Sequence, residues 1–291
     1  MEKISKAQVK LVKSLQQKKY RDELNLFVAE GEKCVSELSK SFELEMLIIE
    51  DGVTVNQSVL CQAKPVCTLS AQRSMLEQMS GMKTPQNVIG VFKKPNSPKD
   101  GLTATRSNSD SGLTGEAGLF LALDGVQDPG NLGTIIRTCD WFGVYDIFCS
   151  LDTADCFNPK VVQATMGALA RVRLHYVNLP EWLKELKITN YELRIYGTLL
   201  DGKDMYEVLS NSPKDGLTSN SAAVQQSEGR SNNSIIVMGN EGNGISAPVR
   251  QLITHPIRIP SYNKDSSEVI ESLNVSIATA IVLAEFCKNH T

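Results

Sequence analysis

LFLALDGVQDPGNLGTIIRTCDWFGV, residues 119–144, decides how this chain is read. LFLALD is uninterruptedly apolar up to its last residue, as a strand covered on both faces must be. DGVQDPGN is turn chemistry. Leu132, Ile135, Ile136, Cys139 and Phe142 then recur at helical spacing, and Gly143 stops the helix. The stretch is a strand, a polar turn and a helix, the repeating unit of an α/β sheet. At about 100° per residue Arg137 lies away from the apolar stripe, and Asn131 falls at the helix start. Both are presented near the carboxyl end of a strand, where open α/β sheets bind ligands. Each also has a plain structural reading, Asn131 as a helix cap and Arg137 as a surface arginine.

Two later stretches have the same form. In SIIVMGNEGNGIS, residues 234–246, a strand runs into Gly239, Gly242 and Gly244, which bracket Glu241 and let backbone approach a ligand closely. No Gly-Lys-Ser/Thr follows, so it is not a phosphate loop of the Walker type. In PIRIPSYNKDSSEVIESLNVSIATAIVLAEF, residues 256–286, a strand and a polar loop lead to Ser272 and Asn274 at a helix start, with Leu273, Ile277 and Ile281 expected on its buried face. Between these come strands at 145–150, 171–177 and 193–200 and a helix over about 160–170.

Upstream, LFVAE (26–30), LEMLIIE (44–50), PVCTL (65–69) and NVIGVF (87–92) read as strands, with helices near 32–40 and 70–79. This is a small α/β domain over residues 1–94. Residues 95–118 are almost wholly Pro, Gly, Ser, Thr, Asn and Asp with scattered charge, and are expected to be a flexible linker to a second domain, 119–291. The octapeptide NSPKDGLT occurs in that linker (96–103) and again at 211–218, inside an expected flexible insertion, 210–233. Its flanks share composition but no pattern, so it reads as filler rather than as a site used twice.

Charged residues make up 22% of the 291-residue chain and the net charge is −3, which speaks against indiscriminate coating of nucleic acid. The average hides one basic segment. Residues 1–21 carry Lys3, Lys6, Lys10, Lys13, Lys18, Lys19 and Arg21 against Glu2 alone, seven positive charges to one negative. With Ile4, Leu11, Val12 and Leu15 as an apolar stripe, this is either the solvated face of a helix or a helix that contacts phosphates. Cys34, Cys61, Cys67, Cys139, Cys149, Cys156 and Cys287 are odd in number and form no C-x-x-C pair, and there are three histidines, so neither a disulfide framework nor a zinc site is expected. No apolar run has membrane-spanning length and the first residues lack an apolar signal core, so a cytoplasmic protein without membrane attachment is expected.

Taken together, in this order and at this spacing, DPGNLGTIIRTCDWFGV, VMGNEGNGIS and ESLNVSIATAIVLAE resemble the three motifs of the SpoU (TrmH-like) RNA ribose 2′-O-methyltransferases of the SPOUT class. FVAEGEKCVSEL (27–38) and MKTPQNVIGVFKKP (82–95) are similar to the RNA substrate-binding domain that precedes the catalytic domain in many members. The resemblance implies an α/β fold in which a carboxyl-terminal SPOUT domain with a deep trefoil knot follows a small α/β substrate-binding domain. It further implies S-adenosylmethionine as cofactor, a homodimer whose active site draws on both subunits, and RNA, most plausibly ribosomal, as partner. Carried over by position, Gly239, Ile259 and Leu273 contact the cofactor, with Met238, Thr198 and Leu199 near it. Asn131, Arg137, Glu241, Ser272 and Asn274 form the polar catalytic set, and no metal is implied. An RNA substrate also tips the basic segment toward phosphate contacts by Lys10, Lys13, Lys18, Lys19 and Arg21.

The implied chemistry suits those residues. A ribose hydroxyl is a poor nucleophile and has to be held in line with the methyl donor while its proton leaves. A guanidinium holds its proton far above neutral pH, so Arg137 is expected to grip a phosphate and orient the hydroxyl rather than act as a simple base. The sequence departs from the family between Ile259 and Ser272, where PSYNKDSSEVIE is longer than usual and lacks glycine. A tRNA methyltransferase and a non-catalytic RNA-binding or ribosome-assembly protein that kept the cofactor pocket stay open as alternatives. A nicotinamide-dependent oxidoreductase is disfavoured, because no G-x-G-x-x-G follows the first strand.

Overall fold

The structure is a computed structural model, and it describes residues 2–55, 65–95, 119–189, 193–210, 234–262 and 272–288. The expected linker beyond residue 95, both NSPKDGLT copies and most of the loop after Ile259 lie outside the described residues. The chain divides into two compact units. One takes Met1–Asp110 with Asp128–Asp140 and Ala154–Arg173, and the other takes Ser111–Gln127, Trp141–Thr153 and Leu174–Thr291.

The first unit is built on a mixed sheet in the order β1-β4-β3-β5-β2. Its elements in chain order are β1 (Glu2–Lys3), α1 (Lys6–Ser14), α2 (Lys18–Leu24), β2 (Leu26–Glu30), α3 (Glu32–Leu38), β3 (Leu44–Glu50), β4 (Cys67–Ala71), α4 (Arg73–Met79) and β5 (Val88–Lys93). Strands β1, β4 and β3 are parallel, and β5 runs antiparallel to both β3 and β2. Alternation along each strand fixes two layers. Val28, Ile48, Leu69, Ile89 and Val91 pack with Val9 and Val12 of α1, with Leu15 just past its end, and with Leu76 and Met79 of α4. Phe27 turns the other way and meets Phe42, Phe92 and Phe157, with ring centroids 4.8–5.4 Å from its own.

The basic amino-terminal segment is two helices rather than one. Gln17 is extended, at φ −99° and ψ 134°, and restarts the chain as α2. Arg21 corrects the sequence reading, because it is 1% exposed. Its Nε and Nη2 donate to Asp155 Oδ2 at 3.2 and 2.7 Å, and its Nη1 donates to the carbonyls of Leu15 and Gln16, both at 2.9 Å. A guanidinium committed in this way is not available to a phosphate.

The second unit holds a sheet in the order β11-β9-β10-β6-β7-β8, made by β6 (Leu119–Asp124), β7 (Asp146–Ser150), β8 (Arg173–Val177), β9 (Arg194–Asp204), β10 (Ser234–Gly239) and β11 (His255–Arg258). The pairs β6–β7, β10–β6, β10–β9 and β11–β9 are all parallel, which is why LFLALD and SIIVMG read as near-continuous apolar runs. The helices of this half of the chain are α5 (Pro129–Phe142), α6 (Pro159–Ala164), α7 (Leu179–Thr189), α8 (Met205–Ser210), α9 (Ala247–Arg250) and α10 (Val275–Lys288). Residues of α5 up to Asp140, and all of α6, belong to the first unit.

Phe120, Ala122, Ile195, Ile235 and Val237 form one core layer with Leu179 and Leu183 of α7 and Val249 of α9. On the opposite face Tyr196 receives the edge of Phe286 from α10, centroids 4.7 Å apart. Helix α10 corrects a second expectation. Its buried side is Val275, Ser276, Thr279, Val282, Leu283 and Phe286, whereas Leu273 and Ile277 are 50% and 54% exposed. VSIATAIVLAEF is apolar nearly all round, so spacing alone does not say which stripe meets the sheet. Among the described residues no helix is long and apolar enough to cross a membrane.

Candidate active site

In the second unit Met238 and Gly239 close β10, Ile259 follows β11, and Thr198 and Leu199 lie within β9, the strand between those two. The ladders there are unequal. Pairing of β9 with β10 stops at Gly197 and Val237, while β10 continues along β6 to Gly239 opposite Asp124. Against β11, β9 slips. Pro256 pairs with Gly197, but the next residue, Ile257, pairs with Lys203. Residues Thr198 to Gly202 therefore form a bulge with no partner in β11, and the crevice between diverging strand ends is where an α/β sheet takes a ligand. Thr198 and Leu199 lie in this bulge. Thr198 Oγ1 donates to the Val237 carbonyl at 3.2 Å and stands 3.8 Å from Met238 Sδ. Gly239 ends β10, Ile259 follows the last residue of β11, and Leu273 precedes the start of α10.

Two glycines make these close approaches. A Cβ on Gly239 would lie 2.5 Å from Ile245 N and 2.6 Å from Gly244 O. One on Gly202 would lie 2.5 Å from the Ile257 carbonyl oxygen. The bulge is thus closed by backbone packed on backbone, with Asp201 ion-paired to Arg250 beside it.

The NEGNG turn is organised by a residue that sequence reasoning passed over. Asn240 and Gly244 exchange both backbone hydrogen bonds, each at 2.9 Å. The Asn240 side-chain oxygen accepts from Gly242 N and Asn243 N, both at 2.9 Å, and its Nδ2 donates to the Gly125 carbonyl at 2.7 Å. Glu241 is held exposed at the tip. Asp124, buried at the end of β6, accepts from Ser246 N at 2.7 Å, and Ser150 Oγ accepts from Gly125 N at 2.8 Å while donating to Asp152 at 2.6 Å. The turns after β6, β7 and β10 are thereby tied to one another. The available signals were an Asn before a glycine turn, a carboxylate closing an apolar strand, and the lone Gly202 inside a strand pattern.

Asn274 caps α10. Its Oδ1 accepts from Ser276 N at 3.0 Å, Ile277 N at 3.4 Å and Ser276 Oγ at 2.6 Å. Ser272 and Asn274 are both exposed. Asn131 and Arg137 stand on α5, in the first unit. Asn131 is not the cap of that helix. Asp128 is, with its Oδ1 accepting from Asn131 N at 2.8 Å and its carbonyl from Leu132 N at 3.0 Å; Pro129 takes the first helical position. Gly133 lets α5 lie against Val161 O and Ala164 of α6. Arg137 is exposed and makes no ion pair among the described residues. Lys10, Lys13, Lys18 and Lys19 are exposed too. No group of three His, Cys, Asp or Glu among the described residues is placed to hold a metal ion.

A profile of the SpoU rRNA Methylase family matches residues 118–284. The chain belongs to that family. An MRM3-like substrate binding domain matches residues 6–90. The 23S rRNA (guanosine(2553)-2′-O)-methyltransferase RlmP of Bacillus subtilis is 28% identical over 276 residues, 94% of each chain. A solved structure of a TrmH-family protein from Porphyromonas gingivalis is 34% identical with a TM-score of 0.70, covering 97% of this chain and 98% of that one. The AdoMet-bound rRNA methyltransferase of Sinorhizobium meliloti is 26% identical with a TM-score of 0.73, covering 99% and 97%.

Proposed function

We propose that this protein transfers the methyl group of S-adenosylmethionine to a ribose 2′-hydroxyl of ribosomal RNA, as a homodimer working in the cytoplasm. The observation that carries the reading is the rim made by the β9 bulge and the ends of β10 and β11. A nucleoside-bearing sulfonium needs unpaired backbone groups beside apolar surface. The Thr198–Gly202 bulge, outside the ladders to both β10 and β11, supplies the backbone, and Leu199, Ile259 and Leu273 supply apolar groups that are half-buried or exposed. Bound there, the cofactor would supply an electrophilic methyl.

The chain's own contribution is placement. Arg137, exposed on α5, grips a substrate phosphate and orients the hydroxyl. Ser272 and Asn274 shape the rim where α10 begins, and Glu241 lies at the tip of the Asn240-braced turn. The chain path fits the proposed trefoil knot, because β11 lies outside β9 although β10 comes between them in sequence, so the β10–β11 connection has to cross β9. Ribosomal rather than transfer RNA is favoured by RlmP, a relative matched over nearly the whole of both chains that is named for 23S rRNA.

The test is methyl transfer from labelled S-adenosylmethionine to ribosomal RNA taken from cells lacking the gene, with the product mapped by mass spectrometry. One 2′-O-methylated nucleotide in the large-subunit RNA is expected. Cofactor binding without transfer to any RNA would refute the reading.

A further inference from the structure

Helix α1 presents a lysine ridge that neither folding nor the rim explains. Lys6, Lys10 and Lys13 are exposed and make no ion pair among the described residues. At about 100° and 1.5 Å per residue they fall within an arc of roughly 60° and rise about 6 and then 4.5 Å along the helix. They form one row.

The opposite side of α1 is anchored. Val12 and Leu15 are 0% exposed. Ser5 Oγ accepts from Gln8 N at 3.3 Å, Gln8 Oε1 accepts from Ser5 N at 2.8 Å, and Gln16 Nε2 donates to the Met79 carbonyl at 3.0 Å. The ridge is therefore fixed on a rigid mount. The helix dipole treats its two ends differently. Lys6 holds the first helical position, where the dipole favours acids and the first turn contains none, whereas Lys13 in the last turn is favourably placed. Three like charges spaced i, i+4 and i+7 repel one another as well. A row of mutually repelling cations with no ion pair among the described residues is complementary to a polyanion.

We infer that Lys6, Lys10 and Lys13 form a phosphate-tracking ridge that holds the ribosomal RNA substrate by its backbone. The inference rests on the RNA methyltransferase reading and revises the residue set that composition suggested. Arg21 leaves it, because it is buried in a protein ion pair. Lys6 joins it, because it completes the row on α1. Lys18 and Lys19 stand on a separate helix and are not part of the row.

The experiment measures binding of the full-length protein to an unmodified large-subunit rRNA transcript between 50 and 200 mM KCl. It compares wild type, Lys6→Gln/Lys10→Gln/Lys13→Gln, and a charge-matched control, Lys33→Gln/Lys184→Gln/Lys288→Gln. Each phosphate contact contributes about 0.7 to 0.9 to the slope of log affinity against log salt, so the ridge variant should have a slope shallower by about 2 to 3. Across that fourfold salt range its affinity should then fall roughly 20- to 40-fold less than that of wild type. The control should follow wild type, and affinity for S-adenosylmethionine should be the same in all three proteins. A ridge variant with the wild-type slope, or a control that loses as much, overturns the ridge while leaving the enzyme reading intact if wild type still methylates the transcript. Wild type that neither binds nor methylates the transcript overturns both.

Discussion

Gly239 and Gly242 lie in one turn, three residues apart, and the structure assigns them opposite sensitivities. An alanine at 239 would set its Cβ 2.5 Å from Ile245 N and 2.6 Å from Gly244 O, where ordinary contact begins at 3.4 Å. Both obstacles are backbone, so no side chain can swing aside. The turn has to open by about 1 Å, at the roughly 1–3 kcal/mol typical of overpacking. If the cofactor binds only the undistorted rim, restoring that geometry raises its Kd by roughly 5- to 150-fold.

At Gly242 the added Cβ would meet only Asn240 Oδ1, at 3.7 Å, so Gly242→Ala should bind within about twofold of wild type. Gly244 stands between the two. Nothing lies within 4 Å of a Cβ there, but its φ of +68° costs an alanine about 1 kcal/mol. Isothermal titration calorimetry with S-adenosylmethionine, alongside urea denaturation, should rank the losses 239, 244, 242. Wild-type affinity in Gly239→Ala, or equal losses at 239 and 242, would refute the argument that backbone proximity shapes the rim.

Arg21→Met should destabilise the protein by about 3–5 kcal/mol in urea denaturation, because it strands a mostly buried Asp155. Arg21→Met/Asp155→Leu should recover part of that loss, and neither change should alter the salt slope of RNA binding. Arg137→Ala should retain cofactor affinity while methyl transfer drops by about 100-fold or more, read in single-turnover assays; unchanged turnover would remove it from the catalytic set. Asn274→Ala should cost about 1 kcal/mol through the lost cap of α10, measured by denaturation. The Glu37 carboxyl is held below its usual range by hydrogen bonding to Lys40, with Arg171 adding to the effect against some desolvation. Its folded value is depressed, so the stability it lends is complete above its unfolded value of about 4.3 and is lost as pH falls through the folded value. Glu37→Gln should flatten the acid limb of the stability curve, and an unchanged limb would sink that assignment.

Much of this was legible in sequence because strands covered on both faces advertise themselves. LFLALD, LEMLIIE and SIIVMG occupy the residues that patterning indicated. Helix α7 escaped notice: only Leu179 and Leu183 of LPEWLKELKIT are buried, so its stripe is thin against a charged background. Arg21 misled for a different reason. Composition counts a charge but cannot reveal that Asp155, 134 residues away in sequence, claims it.

The site shows where sequence reading reaches its limit. Motif order could point to Thr198 and Leu199, yet what leaves them without a partner in β11 is a slip of register between β9 and β11, a property of two strands and of neither alone. Gly202 is the residue that permits the slip, since a side chain there would strike the backbone of Ile257. Its meaning is absent from YGTLLDGKD and appears only when the partner strand is in place. The same holds for Asn240. In one dimension it is a polar residue before a glycine, and in three it joins the ends of β10 and β6 through Gly125. Residues that would touch ligand carry recognisable types at recognisable spacings. Those that hold them in position act through backbone proximity, which a linear pattern does not record.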